Sequence, residues 1–334
     1  MRKSDKILVA GAAGMVGSAI LRSLLKQGYT NIIGTYHLNV PQKMESVRYR
    51  RVDLMDPHAC RYLFTEEEPD YIFYAAAKVG GIVANNTYRA QFLYENLEIQ
   101  NNVIHTAYTT QVKKLLYLGS SCIYPKNAPQ PIKEEFLLTS ALEYTNEPYA
   151  ISKIAGLKMC ENYNLQYGTN YIAVMPTNLY GPNDNYDLQN SHVLPALIRK
   201  FHEAKVAEAP SVTIWGTGSP LREFMHVDDL AAAVIFLMET YEGNQFFNVG
   251  WGKEISIKDL ALLIQEIVGF QGTLVFDHTK PDGTPRKLLD VTRLTDFGFS
   301  PRIPLREGII KTYADFVKKH GSSKASSTEN VIHF

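Results

Sequence analysis

The sequence is short of net charge, of cysteine and of long apolar runs, and each shortage removes a class of function. Lysine plus arginine balance aspartate plus glutamate at 34 each over 334 residues, so no overall field draws the chain to nucleic acid or to an anionic membrane. Its one basic cluster, RYRR at 48–51, is short and reads as a solvated stretch. The three cysteines, Cys60, Cys122 and Cys160, share no metal-type spacing. Their odd number argues against a disulfide framework and fits a reducing compartment, and no metal is expected. No stretch approaches about 18 uninterrupted apolar residues, so no membrane span is predicted. The start, MRKSDKILVAGAAGMVG, places cations before an apolar run, but glycines break that run too early for a secretory signal. A soluble cytoplasmic protein is the expectation.

What is present is an alternation of two periodicities. Short apolar or β-branched runs stand at 6–12, 31–37, 70–76, 114–120 and 170–176, with amphipathic helical stretches between them. Strands buried on both faces look like such runs, and their alternation with helices predicts an α/β fold with a doubly wound parallel sheet. Residues 1–178 read as a dinucleotide-binding domain, with 220–253 returning to it. A smaller α/β substrate-binding region is expected from 179–219 and 254–320. Ser256 and Asp259 have capping-box spacing ahead of a predicted helix. The small polar stretch 321–334 reads as a disordered tail. No internal repeat is found.

Between the first strand and the first helix, GAAGMVG puts Gly11, Gly14 and Gly17 around Ala12, Ala13, Met15 and Val16. Glycines so placed serve a tight turn, close backbone approach to a pyrophosphate, and close helix–strand packing. The helix start beyond them offers free N–H groups and a positive dipole end to phosphate. An NAD enzyme usually ends its second strand with a carboxylate for the ribose 2′-hydroxyl. Here that place is GTYHLNV, which has none. His37, Lys43 and Arg48 are nearby cations for a 2′-phosphate, so NADP is the expected cofactor.

Farther on, PYAISK sets Tyr149 and Lys153 on one face of a helix, with Pro148 at its start. A neighbouring ammonium is expected to lower the phenol's pKa toward a usable proton exchanger. Ser120 closes the 114–120 strand, at the sheet end where open α/β folds hold ligands. Cys122, two residues on, is by default a packing residue, as Cys60 and Cys160 are.

At these residues the chain resembles the extended short-chain dehydrogenase/reductases. More narrowly it is similar to their GDP-4-keto-6-deoxy-D-mannose 3,5-epimerase/4-reductase branch. The likeness runs over about 6–319 and includes AAAKVGGIVANN, LGSSCIYPK, EPYAISKIAG, MPTNLYGPNDN, REFMHVDDLAAA and KPDGTPRKLLDVTRL. It implies a reductase triad of Ser120, Tyr149 and Lys153, and an epimerisation base and acid at Cys122 and His192. It implies cofactor contacts at Gly11–Gly17, His37, Leu118, Gly119, Ser120, Ser121, Lys153, Pro176, Thr177, Asn178, Leu179 and His192. Lys200, Trp215, Arg222, Asp282 and Lys287 match positions that hold the GDP-sugar. Homodimers formed through the helices near 89–109 and 148–167 are also implied. Two positions depart from the pattern: Ala13 stands where a basic residue is common, and Lys200 replaces a frequent arginine, keeping charge without the bidentate fork. Colitose-type and heptose-type GDP-keto-sugar enzymes share these motifs. The rival from another class is a non-catalytic dinucleotide sensor, which would tend to lose the tyrosine or the lysine.

Overall fold

The computed structural model describes residues 1–188, 190–280 and 282–320; the expected tail at 321–334 lies outside them. Its strands are β1 (Ile7–Ala10), β2 (Ile32–Tyr36), β3 (Val47–Arg51), β4 (Tyr71–Tyr74), β5 (Lys114–Leu118), β6 (Tyr171–Pro176), β7 (Asn178–Tyr180), β8 (Ser211–Trp215), β9 (Leu221–His226), β10 (Phe247–Val249), β11 (Glu254–Ser256), β12 (Thr273–Asp277) and β13 (Arg286–Lys287). The helices are α1 (Met15–Lys26), α2 (Pro57–Glu67), α3 (Ile82–Thr87), α4 (Arg89–Thr109), α5 (Glu147–Tyr167), α6 (Val193–Val206), α7 (Val227–Thr240), α8 (Ile257–Val268), α9 (Thr292–Asp296) and α10 (Leu305–His320).

Seven strands form one parallel sheet in the order β10-β6-β5-β4-β1-β2-β3. Strand alternation divides the core between its two faces. Ile7 and Val9 of β1 pack with α1 and α7 on one face, while Leu8 and Ala10 pack with α2, α4 and α5 on the other. Both layers are buried, which is why these strands read as unbroken apolar runs. Asp56 starts α2 by accepting the N–H groups of His58 (2.8 Å) and Ala59 (3.3 Å).

The basic cluster at 48–51 is solvated as expected, with Arg48, Arg50 and Arg51 exposed, but it is also ordered. It is the edge strand β3, and Arg48 and Arg50 both pair with the buried Glu67 of α2. Arg48 is thereby tied to the far side of the strand, 3.4 Å from Asn31 at the start of β2. It is not a 2′-phosphate ligand.

A smaller region stands on the carboxyl ends of the large sheet's strands. In it β9 is flanked by β7, β11 and β13, and β8 pairs with β12. Helices α6, α8 and α10 close a separate core around Phe201, Ile214, Leu260 and Ile309. Ser256 caps α8 by accepting the Asp259 N–H at 3.0 Å. Among the described residues no helix is long and apolar enough to cross a membrane.

Candidate active site

The turn after β1 is built for close backbone approach. Gly11 has φ +86°, and a Cβ there would lie 2.9 Å from the Ala76 backbone. A Cβ at Gly17 would fall 2.1 Å from the Gly11 carbonyl oxygen, so α1 can cross the turn only if that residue is glycine. Gly14 is different: its Cβ would meet only the Gly11 oxygen, at an ordinary 3.5 Å. Packing does not demand glycine there, so its open side is free for a ligand. Gly14 also begins α1 with no side-chain cap and no acidic residue in the first turn. Ala12 is buried, and Ala13, Met15 and Val16 complete the loop. Unfilled N–H groups beside an open glycine face suit a dinucleotide pyrophosphate.

The wall opposite is the turn after β4, against which Gly11 packs. Asn96 of α4, 2% exposed, holds it. Its side chain accepts the Lys78 N–H at 2.9 Å and donates to the carbonyls of Lys78 (3.1 Å) and Phe92 (2.7 Å). Sequence reading missed Asn96, one of two buried amides on α4, the other being Gln100.

At the carboxyl end of β2, His37 is exposed and 3.8 Å from Asp53. Arg51, which pairs in register with Tyr36, donates to the His37 carbonyl at 3.3 Å. Arg51 and His37 lie at this end of the sheet, whereas Arg48 lies near the start of β3.

Leu118 ends β5 in register with Val174, and Gly119 N–H donates to Val174 O at 2.9 Å, so Gly119, Ser120 and Ser121 leave the sheet alongside the last residues of β6, ahead of Thr177, Asn178 and Leu179. Thr177 is pinned to the Val249 carbonyl at 2.9 Å, and Asn178 donates to Glu223 O at 2.9 Å. Ser120 opens a short 3-10 turn by accepting the Cys122 N–H at 3.3 Å. Its hydroxyl acts on both the Tyr149 phenol and the Cys122 thiol, lowering the pKa of each. Serine, tyrosine and cysteine thus share one small volume.

The electrostatics there differ from the sequence expectation. Lys153 donates to Leu118 O at 2.9 Å, and its Nζ lies 5.7 Å from the Tyr149 ring centre. Burial, opposed by Cys122, holds Lys153 down to about 8. Burial also pushes the Tyr149 phenol well above its usual range, with Cys122 adding to the rise and Ser120 opposing it. Lys153 is not among the groups that shift Tyr149, and burial favours the protonated phenol. Burial raises Cys122 too, while the charges of Lys287 and Lys153 and the Ser120 hydrogen bond pull it back.

His192 is the residue before α6, in extended conformation, and its ring is not spent on a cap. The loop before it is anchored where Gly81 N–H meets Asn190 O at 3.0 Å. The imidazole is reachable from the cleft, yet desolvation and then the Lys287 charge hold its pKa below the usual value.

The residues expected to hold the GDP-sugar gather on the smaller region. Trp215 ends β8 and is 58% exposed, with Lys200 Nζ and Lys280 Nζ each 5.6 Å from its ring. Two cations on one exposed indole suit a base stacked beside a diphosphate. Lys280 was not singled out from sequence, although the cation-rich KPDGTPRK motif contains it. Asp282 spends both oxygens on the 216–219 turn, accepting Thr217 N–H (2.7 Å) and Oγ1 (2.8 Å). It shapes this site through the turn. Arg222 and Lys287 pair in register across β9 and β13 and carry positive charge from the tryptophan toward Cys122.

Comparison with known proteins agrees with this geometry. Residues 7–250 match the NAD dependent epimerase/dehydratase family. The chain belongs to that family. Among its relatives, GDP-L-fucose synthase 1 of Arabidopsis thaliana is 56% identical, over 95% of this chain and 94% of its own. GDP-L-fucose synthase of Escherichia coli (strain K12) is 51% identical, over 94% and 97%. Among solved structures, MlghC, a GDP-mannoheptose C4 reductase from Campylobacter jejuni with NADP bound, superposes with a TM-score of 0.84. It is 40% identical, covering 95% of this epimerase/dehydratase chain and 99% of its own.

Proposed function

We propose that this chain is a GDP-L-fucose synthase: it epimerises C3 and C5 of GDP-4-keto-6-deoxymannose and reduces the C4 ketone with NADPH. The observation that carries this reading is the shared environment of Ser120, Tyr149 and Cys122, read beside 56% and 51% identity to two GDP-L-fucose synthases. Both half-reactions need hydrogen-bond donors on one oxygen, O4 of the sugar, with a base beside it.

The C3 and C5 hydrogens are α to the ketone and acidified by it. The Cys122 thiolate takes such a proton, while Ser120 and protonated Tyr149 donate to O4 and stabilise the enolate. His192 returns a proton to the opposite face of the same carbon, which inverts it. NADPH, when bound on the glycine turn, supplies a hydride to C4. Tyr149 then gives its proton to O4, a role for which its raised pKa suits it. Lys153 orders the floor of this site through Leu118 O. Lys200, Trp215, Lys280 and Arg222 hold the nucleotide and diphosphate.

The test is direct. Purified protein with GDP-4-keto-6-deoxymannose should consume NADPH and yield a product whose proton spectrum shows inversion at C3 and C5. A second reading, a heptose-type GDP-keto-sugar reductase, is favoured by the 40% identity to MlghC. Faster turnover of the heptose analogue would select it. Absence of turnover with either sugar, despite NADPH binding, would favour a dinucleotide sensor.

This reading includes a homodimer paired through α4 and α5, and a cytoplasmic site of action, with which three free, buried cysteines agree.

A further inference from the structure

The turn after β4 runs from Ala76, against which Gly11 packs, to a glycine pair, Gly80 and Gly81. A Cβ on Gly80 would lie 3.1 Å from Phe92 Cζ, and the Phe92 ring meets the Tyr149 ring edge-on at 6.3 Å. A Cβ on Gly81 would lie 3.2 Å from Ser191 O and 3.3 Å from Asn190 O. Gly81 N–H also donates to Asn190 O at 3.0 Å. Gly81 has an ordinary φ of −66°, so closeness, and not backbone conformation, is what calls for glycine there. One residue of the pair thus touches the ring that packs on Tyr149. The next touches the backbone just ahead of His192.

Both sides of this contact are held. Asn85 of α3, 5% exposed, donates from its amide nitrogen to Gly80 O at 2.6 Å and Gly81 O at 3.0 Å. Its own N–H donates to Gly81 O at 3.0 Å. Across the contact, Asn190 N–H reaches Asp187 Oδ1 at 3.0 Å and Ser191 N–H reaches Asp187 O at 2.8 Å. His192 follows at once, and its carbonyl accepts the Ala196 N–H at 3.1 Å as α6 begins. The histidine backbone is therefore fixed between α6, which belongs to the smaller region's core, and a turn of the large sheet.

We propose that Gly81 and Asn85 are positioning residues of the epimerase half-reaction: they latch the backbone at Asn190 and Ser191 across the cleft and so aim His192 at the sugar carbon. The proposal rests on the epimerase reading above. Proton return needs the imidazole within hydrogen-bond reach of a carbon whose oxygen is already held by Ser120 and Tyr149. A misplacement of about an ångström can cost such a step on the order of a hundredfold. Abstraction by Cys122, from the turn after β5, does not pass through this latch. Loosening it acts on return alone.

Gly81→Val and Asn85→Ala test the latch from its two sides. Valine intrudes on the Asn190 and Ser191 carbonyls, and alanine removes both side-chain pins. NADPH affinity and melting temperature show whether each variant is folded, with the milder Gly81→Ala and Asn85→Ser replacing any that is not. The first measurement is amide hydrogen exchange at Asn190 and Ser191 in the absence of sugar, which should quicken in both variants while exchange in β5 stays as in wild type. The second uses GDP-4-keto-6-deoxymannose in deuterated water. Deuterium should still enter at C3 and C5 at close to the wild-type rate while inversion falls roughly tenfold or more. The reduced product should then keep a larger share of the original configuration. Exchange, inversion and reduction lost in equal proportion would overturn the proposal and leave a merely structural contact. Unchanged amide exchange at Asn190 and Ser191 in folded variants would overturn it with no sugar present. Quickened amide exchange beside a wild-type protein that turns over no GDP-keto sugar would strike the epimerase reading, and the role given to His192 with it, while keeping the latch itself.

Discussion

At the scale of single residues, the decisive contrast is between charge proximity and desolvation. Tyr149 and Lys153 sit one turn apart, and from sequence the ammonium is expected to free the phenolate. In the folded protein Lys153 turns to a carbonyl, and burial favours the protonated form of Tyr149. That state donates to O4 at once. Tyr149→Phe should accordingly lower NADPH oxidation on the keto sugar by on the order of a hundredfold or more while NADPH binding survives. Near-normal turnover would show that another group supplies the proton. Cys122 and His192 divide by proton exchange. Cys122→Ser should nearly abolish deuterium entry from solvent at C3 and C5, because serine is close to isosteric and a far weaker base. His192→Asn should still exchange deuterium yet invert poorly, since abstraction persists and return from the other face fails. Equal exchange in wild type and Cys122→Ser would make the thiol a packing residue.

At the scale of elements, legibility followed burial. The five strands covered on both faces showed themselves as apolar runs, and GAAGMVG marked the first turn because Gly11 and Gly17 meet steric demands of the fold while Gly14 keeps an open face. Strand β3 stayed hidden because an edge strand can hold its place through Arg48 and Arg50 on one buried carboxylate rather than through apolar alternation. Strands β7, β9, β11 and β13 were invisible for a related reason. Their positions follow from contacts between segments far apart in sequence, such as Leu289 with Glu223. Cys122 and Ser120 were legible as neighbours two residues apart, whereas Lys287 lies far along the chain and enters the site through tertiary pairing alone. The glycine turn yields a test at this scale. Gly17→Ala would bring a methyl group within 2.1 Å of the Gly11 oxygen, so α1 must shift away from the turn. NADPH affinity should fall at least tenfold, with a lower melting temperature. Gly14→Ala has room against the protein and should impair NADPH affinity while leaving the melting temperature of the unliganded protein nearly unchanged. Equal thermal effects of the two substitutions would remove the distinction drawn between them.

At the scale of the whole molecule, α4 and α5 pack on each other and on the sheet, yet still present apolar side chains outward. Tyr94, Ile151, Leu165 and Tyr167 are 59%, 43%, 70% and 46% exposed. Tyr108 stacks on Tyr167 at 4.3 Å and meets Tyr163 edge-on at 5.5 Å, forming an aromatic ridge at the carboxyl ends of both helices. His105 steadies the ridge through a 2.8 Å hydrogen bond to Tyr163. A helix that buries one face in its own domain and keeps a second apolar face needs a second partner, and a two-fold axis lets one pair of helices serve both copies. Full burial of a large apolar side chain contributes about 1.5–3 kcal/mol, so a few such residues in each copy are enough to hold a dimer at micromolar concentration. Sedimentation should therefore report a dimer. Leu165→Glu with Ile151→Glu should give a monomer that still binds NADPH, because neither side chain lies in the cofactor cleft and a carboxylate on this face would be buried against its own copy. A wild-type monomer would remove the dimer, and a double variant that remains dimeric would place the interface elsewhere.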